Sequence, residues 1–274
     1  MTEPIKTLHL FEPLEKKLVE LLRSLPPDDW KKPTVAKQWT VKDVAAHLLD
    51  TSIRTIAQSK EFVGDPPEAI DSYADLVSYL NRLNADWVKA MKRVSPETLI
   101  ELLTITQKPM IEYYHSLELW APARFPVSWA GERESKNWFH IAREYTERWH
   151  HQQQIRDAVK KEGIMDREFF FPMIDTFMQA LPHTYRQVQA SEGTVVRIII
   201  PGDAGGAWNL QRTSSGWKLT GDAFSTAATV ELGPDTAWKL FTKVFTRREA
   251  ESLVKITGNR ELGVPLLGMV SVMA

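Results

Sequence analysis

The chain has no cysteine among its 274 residues. That excludes disulfides, thiolate metal ligands and a protein thiol as nucleophile. Any sulfur chemistry would need a thiol carried in by a small molecule, and the absence fits a reducing compartment. An excess of charge of one sign is also lacking: 34 Lys and Arg stand against 35 Asp and Glu, a net of −1. Nonspecific nucleic-acid binding needs a basic field to neutralise phosphates, so no nucleic-acid partner is expected. No apolar run approaches the roughly 20 residues of a membrane helix. The N-terminal MTEPIKTLHLFEPLEKK carries acids and no continuous apolar stretch, unlike a signal peptide. The expectations are no membrane insertion and a cytoplasmic protein.

What is present is an ordinary globular composition, 43% apolar, in a length that suits one or two domains. Two patterns divide the chain near Ser191. Residues 1–190 read as helices, with candidates at 6–23, 41–58, 70–93, 108–118, 136–161 and 166–188. Thr40 followed by Asp43 is close to a capping box, and Ser95-Pro96 places a cap before a proline at the first helical position. Long helices joined by Pro-bearing loops suggest a four-helix bundle with extra pieces. From 191 to 274, TVVRIII, GAWNLQ, GWKLTG, ATVELG and LVKITG read as short strands, with a helix opening at Pro234. The expected fold is mainly α: a helical bundle at 1–190 and a small α+β domain at 191–274.

One stretch carries most of the chemistry: EYTERWHHQQQIRDA, residues 144–158. At about 100° per residue, Trp138, Ala142, Tyr145 and Trp149 share one face of its helix. His140, Glu144, Glu147 and His151 share the opposite one. A solvated face with weak i,i+4 contacts is the plain reading of that second seam. The alternative is part of a metal site. His47, in QWTVKDVAAHLLD, sits well off the apolar stripe of its own helix. With Glu147 and His151 it could complete two imidazoles and a carboxylate, leaving a coordination position open. His140–Glu144 has the same spacing, and His150 adjoins His151. Asn81, Arg82 and Asn84 punctuate another helix, where one of them could reach a pocket and a solvated face is the plainer reading. Trp39, Trp120, Trp129, Trp138 and Trp149 are core aromatics or the walls of a dry site.

WTVKDVAAHLLD and REYTERWHHQQQIRDA resemble the ligand-bearing helices of the DinB/YfiT-like superfamily, in its mycothiol-dependent maleylpyruvate isomerase branch. VVRIIIPG, GWKLTG and LVKITGNRELG resemble the sterol-carrier-like second domain of that branch. The resemblance implies His47, Glu147 and His151 as metal ligands, with Glu144 and His140 as pocket residues beside them; Glu144 and, from its own helix, Arg82 are the candidate catalytic side chains. It implies a divalent metal, zinc first and nickel as a second choice, and an external thiol: mycothiol, bacillithiol or glutathione. The partners implied are that small-molecule thiol and an electrophilic substrate, in an isomerisation or S-transfer. A metal-dependent hydrolase on the same ligands, and a noncatalytic protein holding an apolar ligand, are the alternatives.

Overall fold

A computed structural model describes residues 3–62, 70–221 and 225–272. Ten α-helices are seen among them, of which five shape the region of the candidate ligands: α1 (Phe11–Arg23), α2 (Val41–Ser59), α3 (Tyr73–Met91), α4 (Pro96–Ser116) and α5 (Asn137–Val159). Then come α6 (Arg167–Met178) and the short α7 (Leu181–Thr184). The strands are β1 (Val195–Ile200), β2 (Gly206–Thr213), β3 (Gly216–Thr220), β4 (Ala228–Leu232) and β5 (Val254–Gly258). Between the last two lie α8 (Pro234–Phe241) and α9 (Arg247–Glu251), and α10 (Arg260–Gly263) follows β5. The class is mainly α with a small sheet towards the C-terminus. Helix gives way to strand between Thr184 and Val195, where the sequence pattern changes.

Two compact units interleave along the chain. One comprises mainly Thr7–Ala121 and Glu147–Gly163; the other comprises mainly Pro122–Thr146 and Ile164–Val272. Helix α5 therefore gives its first ten residues to one unit and the rest to the other.

In the first unit, α1, α2, α4 and the end of α5 close a core of Leu18, Leu22, Val44, Leu48, Leu99, Leu103 and Ile155. Helix α2 begins where the sequence says it should. The Thr40 side chain accepts from the Asp43 backbone N–H, and the Thr40 N–H donates to the Asp43 carboxylate. Asp43 is also paired with Lys92 at 2.6 Å, and Trp87 donates from Nε1 to the Ala46 carbonyl at 2.8 Å. These two contacts lay α3 antiparallel along α2. Helix α4 is longer than the expected 108–118. Ser95 caps it and Pro96 opens it, while Pro109 sits inside rather than marking a start. The buried positions Leu99, Leu103 and Met110 explain why packing carries the helix through that proline.

In the second unit the sheet order is β3-β2-β1-β4-β5, with β1 and β4 parallel and the other neighbours antiparallel. Val196, Ile198, Ile200, Leu210 and Val230 are buried, as are Phe169, Met173 and Phe177 of α6 and Trp238 and Phe241 of α8. Gly258 ends β5 at φ 78, where a Cβ would lie 2.4 Å from the Ala227 carbonyl oxygen, so the chain needs glycine there. The single helix expected over 166–188 is two, α6 and α7, separated by Gln179 and Ala180. Tyr185, just past α7, is anchored by its hydroxyl donating to the Leu262 carbonyl.

The plain alternative of a solvated seam on α5 does not hold: His140 and His151 are buried, and Glu144 and Glu147 are partly buried. Thr146, Arg148, His150, His151, Gln152, Gln153, Gln154 and Arg156 are all buried. A helix this polar can be buried only if its groups find partners inside the protein.

Candidate metal centre

Arg148 supplies the largest of those partnerships. Its Nε and Nη2 donate to the two carboxylate oxygens of Glu15, each at 2.5 Å. Its Nη1 donates to the Leu48 carbonyl at 2.7 Å and to the hydroxyls of Thr51 and Ser52 at 2.9 Å. One guanidinium thus ties α5 to α1 and α2. Arg148 adjoins Glu147, and Leu48 adjoins His47, so the same bonds set the register in which α2 and α5 meet.

In that register the His47 and His151 rings lie 4.6 Å apart, edge to face. His151 Nε2 is 3.6 Å from Glu147 Oε2. Its other nitrogen, Nδ1, is 2.9 Å from Gln154 Oε1. An amide oxygen only accepts, so this contact puts the proton on Nδ1 and leaves the Nε2 lone pair facing Glu147. Trp39, just before the cap of α2, covers both rings, at 4.8 Å from His47 and 6.2 Å from His151. The other tryptophans are placed differently: Trp149 is in the core, Trp120 is exposed, and Trp129 and Trp138 pack on Phe139.

Burial pushes the His47 imidazole down to about 3, with the charges of Arg54, His150 and Arg148 adding in that order. Burial also holds His151 well below the usual histidine range, helped by His150 and His47 and opposed by the Gln154 bond. Both rings are therefore neutral at neutral pH, the form that binds metal. His47 Nδ1 is buried and has no hydrogen-bond partner among the described residues. An orphaned imidazole nitrogen beside a second histidine, itself 3.6 Å from a carboxylate, suits a divalent ion. Ligands about 2.1 Å from a tetrahedral zinc lie roughly 3.4 Å from one another, close to the Glu147–His151 spacing.

His150 is the neighbour whose part the sequence understates. Glu147, His150 and His151 offer ligand atoms all within 4.8 Å of one another. The His150 ring is 3.9 Å from that of His151, and its Nδ1 is 3.9 Å from Glu147 Oε2. Successive residues point about 100° apart on a helix, which handicaps two adjacent histidines as ligands of one ion.

The remaining candidates fall elsewhere. Glu144 pairs with Arg143 at 2.5 Å and lies 3.8 Å from His140 Nδ1, which is itself 2.7 Å from Arg143 Nη2. This forms a group of its own in the other compact unit. Arg82 is exposed, its guanidinium 5.6 Å from the Tyr79 ring centroid. In the same stretch it is Asn84 that is buried. Sequence reasoning had no signal for the Glu15–Arg148 pair, whose members are 133 positions apart. The Gln154 contact was within reach, as a glutamine one turn past a candidate ligand histidine.

Comparison with known proteins points one way. The chain has the fold of a histidine-to-alanine mutant of the mycothiol-dependent maleylpyruvate isomerase: TM-score 0.56, covering 94% of this chain and 96% of that one at 10% identity. A second crystal structure of the mycothiol-dependent maleylpyruvate isomerase gives 0.52, with 88% and 91% covered at 13% identity. At such identity the likeness is one of fold. No curated protein matches by sequence. Residues 11–156, just over half of the chain, match the family described as mycothiol maleylpyruvate isomerase N-terminal domain. His47, Glu147 and His151 all lie inside that span, and the chain belongs to this family.

Proposed function

We propose that the protein is a metal-dependent enzyme of the maleylpyruvate isomerase type that uses an external low-molecular-weight thiol. His47, Glu147 and His151 would hold the ion, with zinc as first choice and nickel as second. The observation that carries this reading is the buried His47 Nδ1, without a partner among the described residues, in a ring 4.6 Å from that of His151, whose Nε2 faces Glu147. When bound, such an ion supplies positive charge that favours a thiolate over a thiol.

The chain's own residues do the rest. Burial keeps both imidazoles neutral, Gln154 fixes the tautomer of His151, and Arg148 holds the two helices in register. Trp39 shields one side of the rings from water. The nucleophile comes from outside because the chain has no thiol. Mycothiol is the first candidate, since both solved relatives are named for dependence on it, and bacillithiol and glutathione share its chemistry. The second substrate is an electrophile that the thiolate can attack, in an isomerisation or an S-transfer. We also read 191–274 as a sterol-carrier-like domain, which its five-stranded sheet with flanking helices supports.

Cobalt-substituted protein titrated with the three thiols tests this. A free thiol, with a pKa near 8.5, is only a few per cent ionised at neutral pH. The expected result is a sulfur-to-metal charge-transfer band and release of a proton with at least one thiol. No spectral change with any of them, together with ester or amide hydrolysis in water alone, would replace the reading with a hydrolase. Neither activity, with a co-purifying apolar molecule, would replace it with a binding protein.

A further inference from the structure

The segment KPTVAKQWTV, residues 32–41, folds back on itself and runs into the start of α2. Its neck is closed twice. Pro33 and Thr40 form an antiparallel bridge, and the Val41 N–H donates to the Lys32 carbonyl at 3.0 Å. Inside the neck, the Trp39 carbonyl accepts from the Thr34 N–H at 3.0 Å and from the Thr34 hydroxyl at 2.9 Å. The same hydroxyl accepts from the Ala36 N–H at 3.2 Å, and the Trp39 N–H donates to the Ala36 carbonyl at 2.7 Å. A hydroxyl can give and receive at once, so Thr34 fastens the turn and Trp39 together. On the far side of Trp39, the Thr40 N–H is held by the Asp43 carboxylate. Both peptide units that flank Trp39 are thus engaged, the second from both of its ends.

The indole held in this way packs on the core of its compact unit, with its ring 4.8 Å from that of His47 and 6.2 Å from that of His151. Lys37 and Gln38, at the tip of the turn, are exposed, so the loop turns its polar residues outward and its one aromatic ring inward. A bulky ring fixed over a polar cluster decides which flank of the cluster water can reach, and dry surroundings strengthen the electrostatic interactions inside. We propose that Thr34 is the positioning residue for Trp39, and that Trp39 so held is a wall closing one flank of the His47–His151 pair to water and to incoming ligands. An external thiol then has to approach from another flank. This deepens the proposed function and rests on it for the ion, but not for the wall itself.

Fluorine NMR of the full chain labelled with 5-fluorotryptophan reads the wall without any metal. Of the ten tryptophan signals, that of Trp39 is the one missing from Trp39→Phe, and that of the exposed Trp120 is assigned in the same way. In metal-free protein the Trp39 signal should move less than that of Trp120 when light water is exchanged for heavy water. Thr34→Val keeps the shape and loses the hydroxyl, and should enlarge the Trp39 solvent shift about twofold, while Thr34→Ser should restore it. A threonine that only braces the turn would lower Tm in Thr34→Val and leave the Trp39 signal unmoved, and that result overturns the inference. So does a Trp39 solvent shift as large as that of Trp120 in the unsubstituted protein. Should Thr34→Val not fold, Thr34→Ala decides by the same criterion. In cobalt-loaded protein, Trp39→Ala should surrender the ion to a chelator about tenfold faster, and an unchanged rate also overturns the wall. Thr34-dependent shielding in a chain that takes up no cobalt would remove the metal reading and leave the wall standing. Cobalt uptake with a Trp39 signal indifferent to Thr34 would remove the wall and leave the metal reading.

Discussion

Arg148 and Glu15 meet in a bidentate ion pair with both side chains only 1% exposed. A buried pair is costly to break from one side, because the survivor keeps its charge without its partner.

Arg148→Met is therefore expected to destabilise the protein by about 3–5 kcal/mol, a magnitude typical of removing one member of a buried pair. Replacing both members, Glu15→Leu with Arg148→Met, should cost less than the sum of the single changes. Urea unfolding of the four proteins measures the difference. Strict additivity would mean that the two groups do not depend on each other.

Metal binding should separate the histidines. His47→Ala and His151→Ala are expected to lose stoichiometric metal, while His150→Ala keeps most of it. Elemental analysis of the purified proteins reads this directly. The opposite pattern, with His47 dispensable and His150 essential, would place the ion on α5 alone, within the Glu147–His150–His151 group.

Gln154→Leu should fold normally and bind metal about 10–100-fold more weakly, the usual effect of removing the group that orients a ligand histidine. A competition titration against a coloured chelator gives the ratio. Unchanged affinity would show that the His151–Gln154 contact has no part in setting the ring.

Burial pushes His140 down to about 4 from an ordinary 6.5, with Arg143 adding and Glu144 opposing. The unfolded chain takes up this proton near pH 6.5, while the folded chain resists it until near pH 4. Stability is therefore present above 6.5 and falls as the pH drops through that window. Metal-stripped protein should show this slope in its urea midpoint between pH 6.5 and 4, and His140→Gln should make it shallower. An identical slope in the variant would mean that the proton goes elsewhere.

Much of this architecture was legible in advance, for local reasons. The α2 cap is a spacing, Thr40 to Asp43, and the opening of α4 is a dipeptide, Ser95-Pro96. The five strands are short apolar runs between Gly, Pro and Ser. What was illegible depended on distant partners. The run of α4 from its Ser95-Pro96 start through Pro109 was missed, because only the packing of Leu99 and Leu103 shows that the chain stays helical between them. The solvated reading of the α5 polar face stayed open as an alternative because the groups that accept the Arg148 hydrogen bonds lie on α1 and α2, about 100 or more positions away. Within the site, the i,i+4 spacing of Glu147 and His151 was readable, while the place of His150 beside them was not. Of Asn81, Arg82 and Asn84, Arg82 was the candidate catalytic residue, although Asn84 is the buried one.

The interleaving of the two compact units bears on how such a protein can be inherited. A recombination crossover after Ala121 would pass on His47 without Glu147 or His151. One after Gly163 would deliver all three, but would also carry along Trp129 and Tyr145 without Phe177 and Phe169, the residues they contact. Neither compact unit corresponds to an uninterrupted stretch of coding sequence. The three candidate ligands can thus pass together between lineages only with most of the chain, so the unit of descent is longer than the unit of packing.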